Sequence, residues 1–222
     1  MPRKTPTPGA LRRAKKLSGP EDLRGLLQYS HPLSWYRPGR RVVVSDRMQG
    51  RYAYTLSERP GRNFAPGFRP QLRPAQMLLM GVFEGKYLND CIFEFPREWY
   101  AAALRAGKLS PGRPDPTLNA FRVKSRLSLR MWRRNGWVPA APGDRDIRGW
   151  FQWYCRYWIG RRDESVDSIQ IARWRAFTRH RAQILASYKR LGRRRPRTAA
   201  QKRQHRPRQR QALLQWAYRP YV

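Results

Sequence analysis

Negative charge is almost absent from this chain, and that scarcity limits what it can fold into more than any other feature. Forty-eight Lys and Arg stand against 14 Asp and Glu, a formal net charge of +34. A compact state carrying so much like charge repels itself and needs a polyanion or counterions to screen it. Nucleic acid is the expected polyanion. An anionic membrane attracts the same residues, but the basic positions run along the whole chain instead of lining one amphipathic face. No membrane partner is therefore expected. Arg greatly outnumbers Lys, which suits bidentate contacts to phosphates and base edges.

With 40% apolar residues, including nine Trp, 11 Tyr and eight Phe, the chain has enough material for a real core and is more than a basic arm. Its length suits one domain with tails. Cys91 and Cys155 lie far apart, without metal-ligand spacing, so neither a zinc site nor a disulfide framework is indicated. His31, His180 and His205 are too scattered to hold a metal or to serve a Ser-His pair. No cofactor and no metal are expected, and no obligate protein partner is inferred. No run approaches the roughly 18 apolar residues of a spanning helix. The start, "MPRKTPTPGALRRAKKL", lacks an apolar signal core. The expected location is the cytoplasm, on the nucleoid, or the nucleus, and not the exterior.

Composition shifts divide the chain into a disordered basic arm at 1–20, a helix, β-hairpin and Pro/Arg-rich loop at 21–74, and a helical DNA-binding or catalytic core at 75–222. Val42 to Val44 and the alternating Tyr52, Tyr54 and Leu56 flank a turn at Met48 to Gly50, a hairpin pattern. From residue 75 the periodicity is helical. "PREWYAAALRAG" has Pro at a helix start and Gly107 just past its end. "KSRLSLRMWRRNG" is a second short helix. "DRDIRGWFQWYCRYWIG" has Asp144 as N-cap and Gly160 as stop. "DSIQIARWRAFTRHRAQILASYKRLG" runs from a cap at Asp167 or Ser168 to Gly192, and "PRQRQALLQWAY" closes the series. The expected fold is mainly α with a small N-terminal β-hairpin (α+β), a single helical domain with basic tails.

Against this background the segment "GVFEGKYLNDCIFEFPREW" gathers Glu84, Asp90, Glu94 and Glu98. A carboxylate in a DNA-binding protein repels the ligand unless it is paired with a cation or needed for chemistry. A helix over 75–90 places Lys86 and Asp90 one turn apart on one face, near enough to perturb each other. Removing a base from its sugar develops positive charge on the deoxyribose. A carboxylate stabilises that charge and orients water, and a lysine can attack the sugar carbon instead. The base must first leave the stack and be held between aromatic faces. Such faces are abundant in "GWFQWYCRYWIGRR", where Trp150, Trp153 and Tyr154 are candidates for base stacking and Arg156, Arg161 and Arg162 for phosphate contact. In the C-terminal block, Leu213, Leu214 and Trp216 form a packing face and Arg208 and Arg210 are phosphate ligands.

The blocks "GVFEGKYLNDC", "EFPREWY", "DIRGWFQWYCRYWIGRR" and "RQRQALLQWAY" resemble the signatures of a widely distributed, uncharacterised family of small basic proteins, over residues from about 75 to 218. In that pattern Gly commonly stands where this chain has Glu84, and Pro where it has Ile147. The departure weakens Glu84 as a catalytic group and leaves Lys86, Asp90 and Asp146 better placed. The resemblance implies a shared fold and site and supplies no reaction.

Three functional expectations follow. The first is a DNA glycosylase for damaged or modified bases, with Asp90, Lys86, Asp146 and Glu94 as candidate catalytic residues and double-stranded DNA favoured over RNA. The second is a non-catalytic nucleic-acid binder, its acids merely pairing with arginines. The third is a nuclease whose Asp90, Glu94 and Asp146 hold Mg²⁺.

Overall fold

The computed structural model describes residues 3–125, 127–136, 145–192 and 198–221. In chain order these form helices α1 (Pro8–Lys15) and α2 (Pro20–Leu26), strands β1 (Arg41–Val44) and β2 (Tyr52–Thr55), then helices α3 (Pro74–Met80), α4 (Arg97–Arg105), α5 (Leu129–Arg134), α6 (Trp150–Ile159), α7 (Glu164–Ala176), α8 (Thr178–Gly192), α9 (Ala199–Gln204) and α10 (Pro207–Gln215). The fold is mainly α with one small antiparallel sheet, as the periodicity predicts. No helix among the described residues is long and apolar enough to cross a membrane.

β1 and β2 pair in a register that sets Arg41 opposite Thr55 and Val44 opposite Tyr52. Val42, Val44 and Tyr54 turn inward while Val43 faces solvent, the period of two that a half-buried strand requires. Asp46 closes the connection: its Oδ1 accepts the backbone N–H of Met48 at 2.6 Å and of Gln49 at 2.8 Å.

The centre of the molecule is α6. Every residue from Trp150 to Ile159 is buried, the fate of a helix that is apolar or aromatic all round. Phe68 lies edge-on to Tyr154, Tyr157 and Trp174, and Trp174 stacks on Tyr218 with ring centroids 5.0 Å apart. α6 ends at Gly160, whose φ of 115° is left-handed. A Cβ there would lie 2.0 Å from the Glu58 carbonyl oxygen. That close approach lets the N–H groups of Ser57 and Glu58 donate to the Gly160 carbonyl, and Gly61 N–H to Trp158, so the loop satisfies the helix's last acceptors.

Three expectations need correction. Residues 1–20 include α1, not only a mobile arm: Thr7 Oγ1 accepts the Ala10 N–H at 3.1 Å, Pro8 starts the helix, and Ala10 and Ala14 are buried. Small alanine side chains let this otherwise basic helix seat closely. The helix expected over 75–90 ends at Met80. Gly81 has φ 85°, and only glycine fits there because a Cβ would meet the Leu118 carbonyl oxygen at 1.9 Å; Phe83 and Glu84 follow with φ of 51° and 59°. The helix expected over 167–192 is two, α7 and α8, separated at Phe177. Asp167 lies in the first turn of α7 rather than at its cap, accepting from Asp163 N–H and Trp153 Nε1. Asp144 lies outside the described residues.

Candidate active-site cavity

Three buried arginines organise the acids. Arg156 projects from α6 into the interior, its side chain fully buried, and donates from Nε to Glu94 Oε1 at 2.5 Å and from Nη2 to Glu94 Oε2 at 3.1 Å. Its remaining donors reach Asp146 Oδ1, Gln49 Oε1 and the Arg145 carbonyl. Arg161 grips Asp146 with two bonds of 2.9 and 2.7 Å. Burial by itself lowers the pKa of Arg156, but Glu94 and Asp146 outweigh it and hold the guanidinium well above its ordinary value. Tyr54 donates its hydroxyl to Glu94 Oε1 at 2.9 Å. Glu94 and Asp146 are thus both engaged by arginines inside the protein.

Arg148 performs the same service nearer the surface. Its Nη2 donates to Asp46 Oδ1 at 2.9 Å and to Asp90 Oδ2 at 2.7 Å. Asp46 is sealed off, whereas the Asp90 side chain stays 14% exposed. Asp90 and Lys86 line one cavity of about 320 Å³, together with Arg148, Tyr87, Trp132 and Met48. This is within the size of ordinary ligand pockets. Lys15, Lys16 and Arg47 add further cationic wall. Lys86 Nζ donates to the Gly112 carbonyl at 2.5 Å, and Arg47 N–H donates to Asp90 Oδ2 at 3.3 Å.

Lys86 and Asp90 meet here through tight turns, not through an α-helical repeat. Asn89 Nδ2 donates to the Gly85 carbonyl at 2.8 Å and Asn119 Oδ1 accepts the Glu84 N–H at 2.8 Å. These bonds bend the segment so that both side chains reach the same cavity.

The expected base-stacking surface on α6 is not a surface. Trp150, Trp153 and Tyr154 are at most 4% exposed, and their polar atoms are bound internally, to the Gln170 carbonyl, to Asp167 Oδ1 and to the Leu72 carbonyl. Arg156 and Arg161 serve the carboxylates described above and do not reach solvent. Arg162 lies 3.8 Å over the Tyr157 ring and donates to backbone carbonyls of Arg62 and Asn63. Arg210 is buried against the His205 carbonyl, Tyr188 hydroxyl and Pro220 carbonyl. Of the expected phosphate ligands, Arg208 is exposed.

The metal-nuclease arrangement does not assemble. Glu94 and Asp146 share Arg156, and Asp90 belongs to Arg148. Among the described residues, Asp46, Cys91 and Glu94 bring ligand atoms close together, all buried. Arg148 already occupies Asp46 and Arg156 occupies Glu94, which leaves a cation facing guanidinium groups. Burial first of all, then the neighbouring carboxylates, push the Cys91 thiol well up, although Arg148 opposes this.

No protein-family model, curated protein or solved structure matches the chain. The cavity's own chemistry therefore carries the functional reading. Sequence reasoning passed over Asp46, Arg148, Tyr87, Trp132 and the pair Lys15 and Lys16. An acid inside the hairpin turn, "VSDRMQG", was the available signal for Asp46.

Proposed function

We propose that the protein binds DNA through its cationic exterior and acts on a single extruded nucleobase at the Lys86–Asp90 cavity, as a DNA glycosylase for modified or damaged bases. One observation carries this reading. Among the acids singled out for chemistry, Glu94 and Asp146 are enclosed by arginine, while Asp90 lines an open cavity beside Lys86 and next to the rings of Tyr87 and Trp132.

The chemistry follows from the placement. Lys15, Lys16 and Arg47 attract the phosphates that flank an extruded nucleotide. Tyr87 and Trp132 supply apolar faces. As the C1′–N bond breaks, its electron pair leaves with the base and positive charge develops on the sugar. The Asp90 carboxylate, oriented by Arg148, stabilises that charge and accepts a proton from the water that adds to C1′. Lys86 assists electrostatically, or attacks C1′ in place of water.

The test is to incubate the protein with duplexes carrying assorted modified bases and to measure abasic sites. Base release that is lost in Asp90→Asn, with DNA affinity retained, is the expected result. Absence of release from every duplex, or an Asp90→Asn protein as active as the parent, overturns the assignment.

The 2.7 Å bond between Arg148 and Asp90 favours a second reading, a non-catalytic nucleic-acid binder whose Asp90 only anchors the fold. It expects Asp90→Asn to lower stability and DNA to remain intact throughout.

A further inference from the structure

A second cavity adjoins the first, and Leu127 and Trp132 line both. It measures about 190 Å³ and its walls are rings: Phe83, Trp132, Trp150, Phe151 and Trp216. Trp216 lies flat between Trp150, 4.8 Å away at 25°, and Phe177, 4.7 Å away at 8°. Both faces of Trp216 are thereby covered, and Trp150 is covered on its far side by Tyr154, 5.0 Å away at 20°, so the stack presents ring edges to the cavity. A planar aromatic ligand meets such edges in T-shaped contact, an arrangement that aromatic pairs favour with little demand on substituent.

Gln215 gives this cavity a polar handle. The residue is 4% exposed and lines the space. Its Nε2 donates to the Ser125 carbonyl at 3.3 Å, whereas its Oε1 is buried and meets no donor among the described residues. A desolvated acceptor without a donor is uncommon in native proteins, and beside a cavity it marks where a ligand N–H completes the site.

We propose that this aromatic cavity is a slot for a pyrimidine base and that Gln215 Oε1 accepts the N–H of the base's pairing edge. The inference rests on the nucleobase reading of the neighbouring cavity and adds the substrate class. Size favours the smaller ring system. An enclosed apolar cavity of about 150 Å³ accommodates a benzene ring, so this open-sided space of about 190 Å³ takes one six-membered ring with its substituents more readily than a fused purine. Uracil and thymine bring N3–H to Gln215, and cytosine brings its exocyclic amine. The sugar then extends past Trp132 and Leu127, which line both spaces, toward Lys86 and Asp90.

Trp132, Trp150 and Trp216 make the slot its own reporter. The full-length protein is titrated with uridine, cytidine, adenosine and 3-methyluridine while tryptophan fluorescence is followed. Uridine and cytidine are expected to quench it saturably. 3-Methyluridine, whose N3–H is blocked, is expected to bind about tenfold more weakly or worse, the loss of one buried hydrogen bond, and adenosine more weakly than uridine because its fused ring fits the slot less well. Gln215→Ala, its folding checked by thermal melting, is expected to bring uridine down to the level of 3-methyluridine and to leave 3-methyluridine unchanged. The blocked nucleoside keeps the test valid if that variant fails to fold. Equal binding of adenosine and uridine, equal binding of uridine and 3-methyluridine, or no saturable quenching overturns the slot. Asp90-dependent base release without nucleoside discrimination also overturns it and leaves the glycosylase reading standing. Discrimination without base release upholds the slot and removes the glycosylase chemistry.

Discussion

Arg156 and Glu94 face each other as two parallel pairs of donor and acceptor, 2.5 and 3.1 Å long, in the middle of the protein. The arginine comes from the central helix and the glutamate from the turn before α4, so this contact ties together segments 62 residues apart. A guanidinium buried with its carboxylates is held in place by them, and removing one member strands the other's charge.

Arg156→Leu is therefore expected to lower unfolding free energy by about 3–5 kcal/mol, the usual cost of breaking a buried pair from one side. Replacing Arg156 and Glu94 together by apolar residues is expected to cost less than the sum of the two single changes. Denaturant titration of the four proteins checks both statements. Additive costs would mean that the two residues do not act as a unit.

Gly160→Ala is expected to destabilise by more than the about 1–2 kcal/mol that a left-handed backbone costs a residue with a Cβ, because the new atom meets the Glu58 carbonyl oxygen. Gly107 has φ 62° and open space around its Cβ position. Gly107→Ala should show only the conformational cost. The difference between their denaturation midpoints isolates the contact between α6 and the loop that crosses its end.

His31 gives the fold a measurable pH dependence. Its ring stacks on Trp35 with centroids 3.7 Å apart, and burial, followed by Arg3 and Arg40, brings its pKa down from 6.5 to about 4. The unfolded chain thus binds a proton that the folded chain refuses. Stability is full above pH about 6.5, declines as the pH falls below it, and levels off for this group near pH 4. His31→Phe should flatten that slope in denaturation midpoints taken between pH 7 and 4. An NMR titration of His31 with a midpoint near 6.5 would contradict the argument.

Lys15 and Lys16 test the proposed DNA path. If each contacts one phosphate, Lys15→Gln and Lys16→Gln should each make the slope of log affinity against log salt less steep by about 0.9. Equilibrium binding of a duplex at several salt concentrations measures it. Unchanged slopes would place the nucleic acid on another face.

The elements were easier to read than the site. Alternation at Val42, Val44 and Tyr54 specifies the hairpin locally, and Gly160 stops α6 by a conformation that glycine adopts at little cost. Both are short-range signals. The environment of α6 is not: its interleaved rings and Arg156 read as a stacking surface until Glu94, Asp146 and Gln49 are brought from other parts of the chain to absorb the charge. Lys86 and Asp90 were expected together on a helix and share a cavity instead by way of turns that Asn119 and Leu118 impose from a distant loop. Nothing local to Arg148 marks it as a site residue, because its two partners, Asp46 and Asp90, come from separate segments.

The seating of α1 bears on how the protein is handled at the bench. Trimming the first twenty residues as a dispensable basic leader would take away Ala14, Lys15, Lys16 and Leu17, which form one side of the Lys86–Asp90 cavity. Such a shortened chain would keep α6 and its arginine anchors and yet lose one wall of that cavity, along with the buried Ala10 and Ala14.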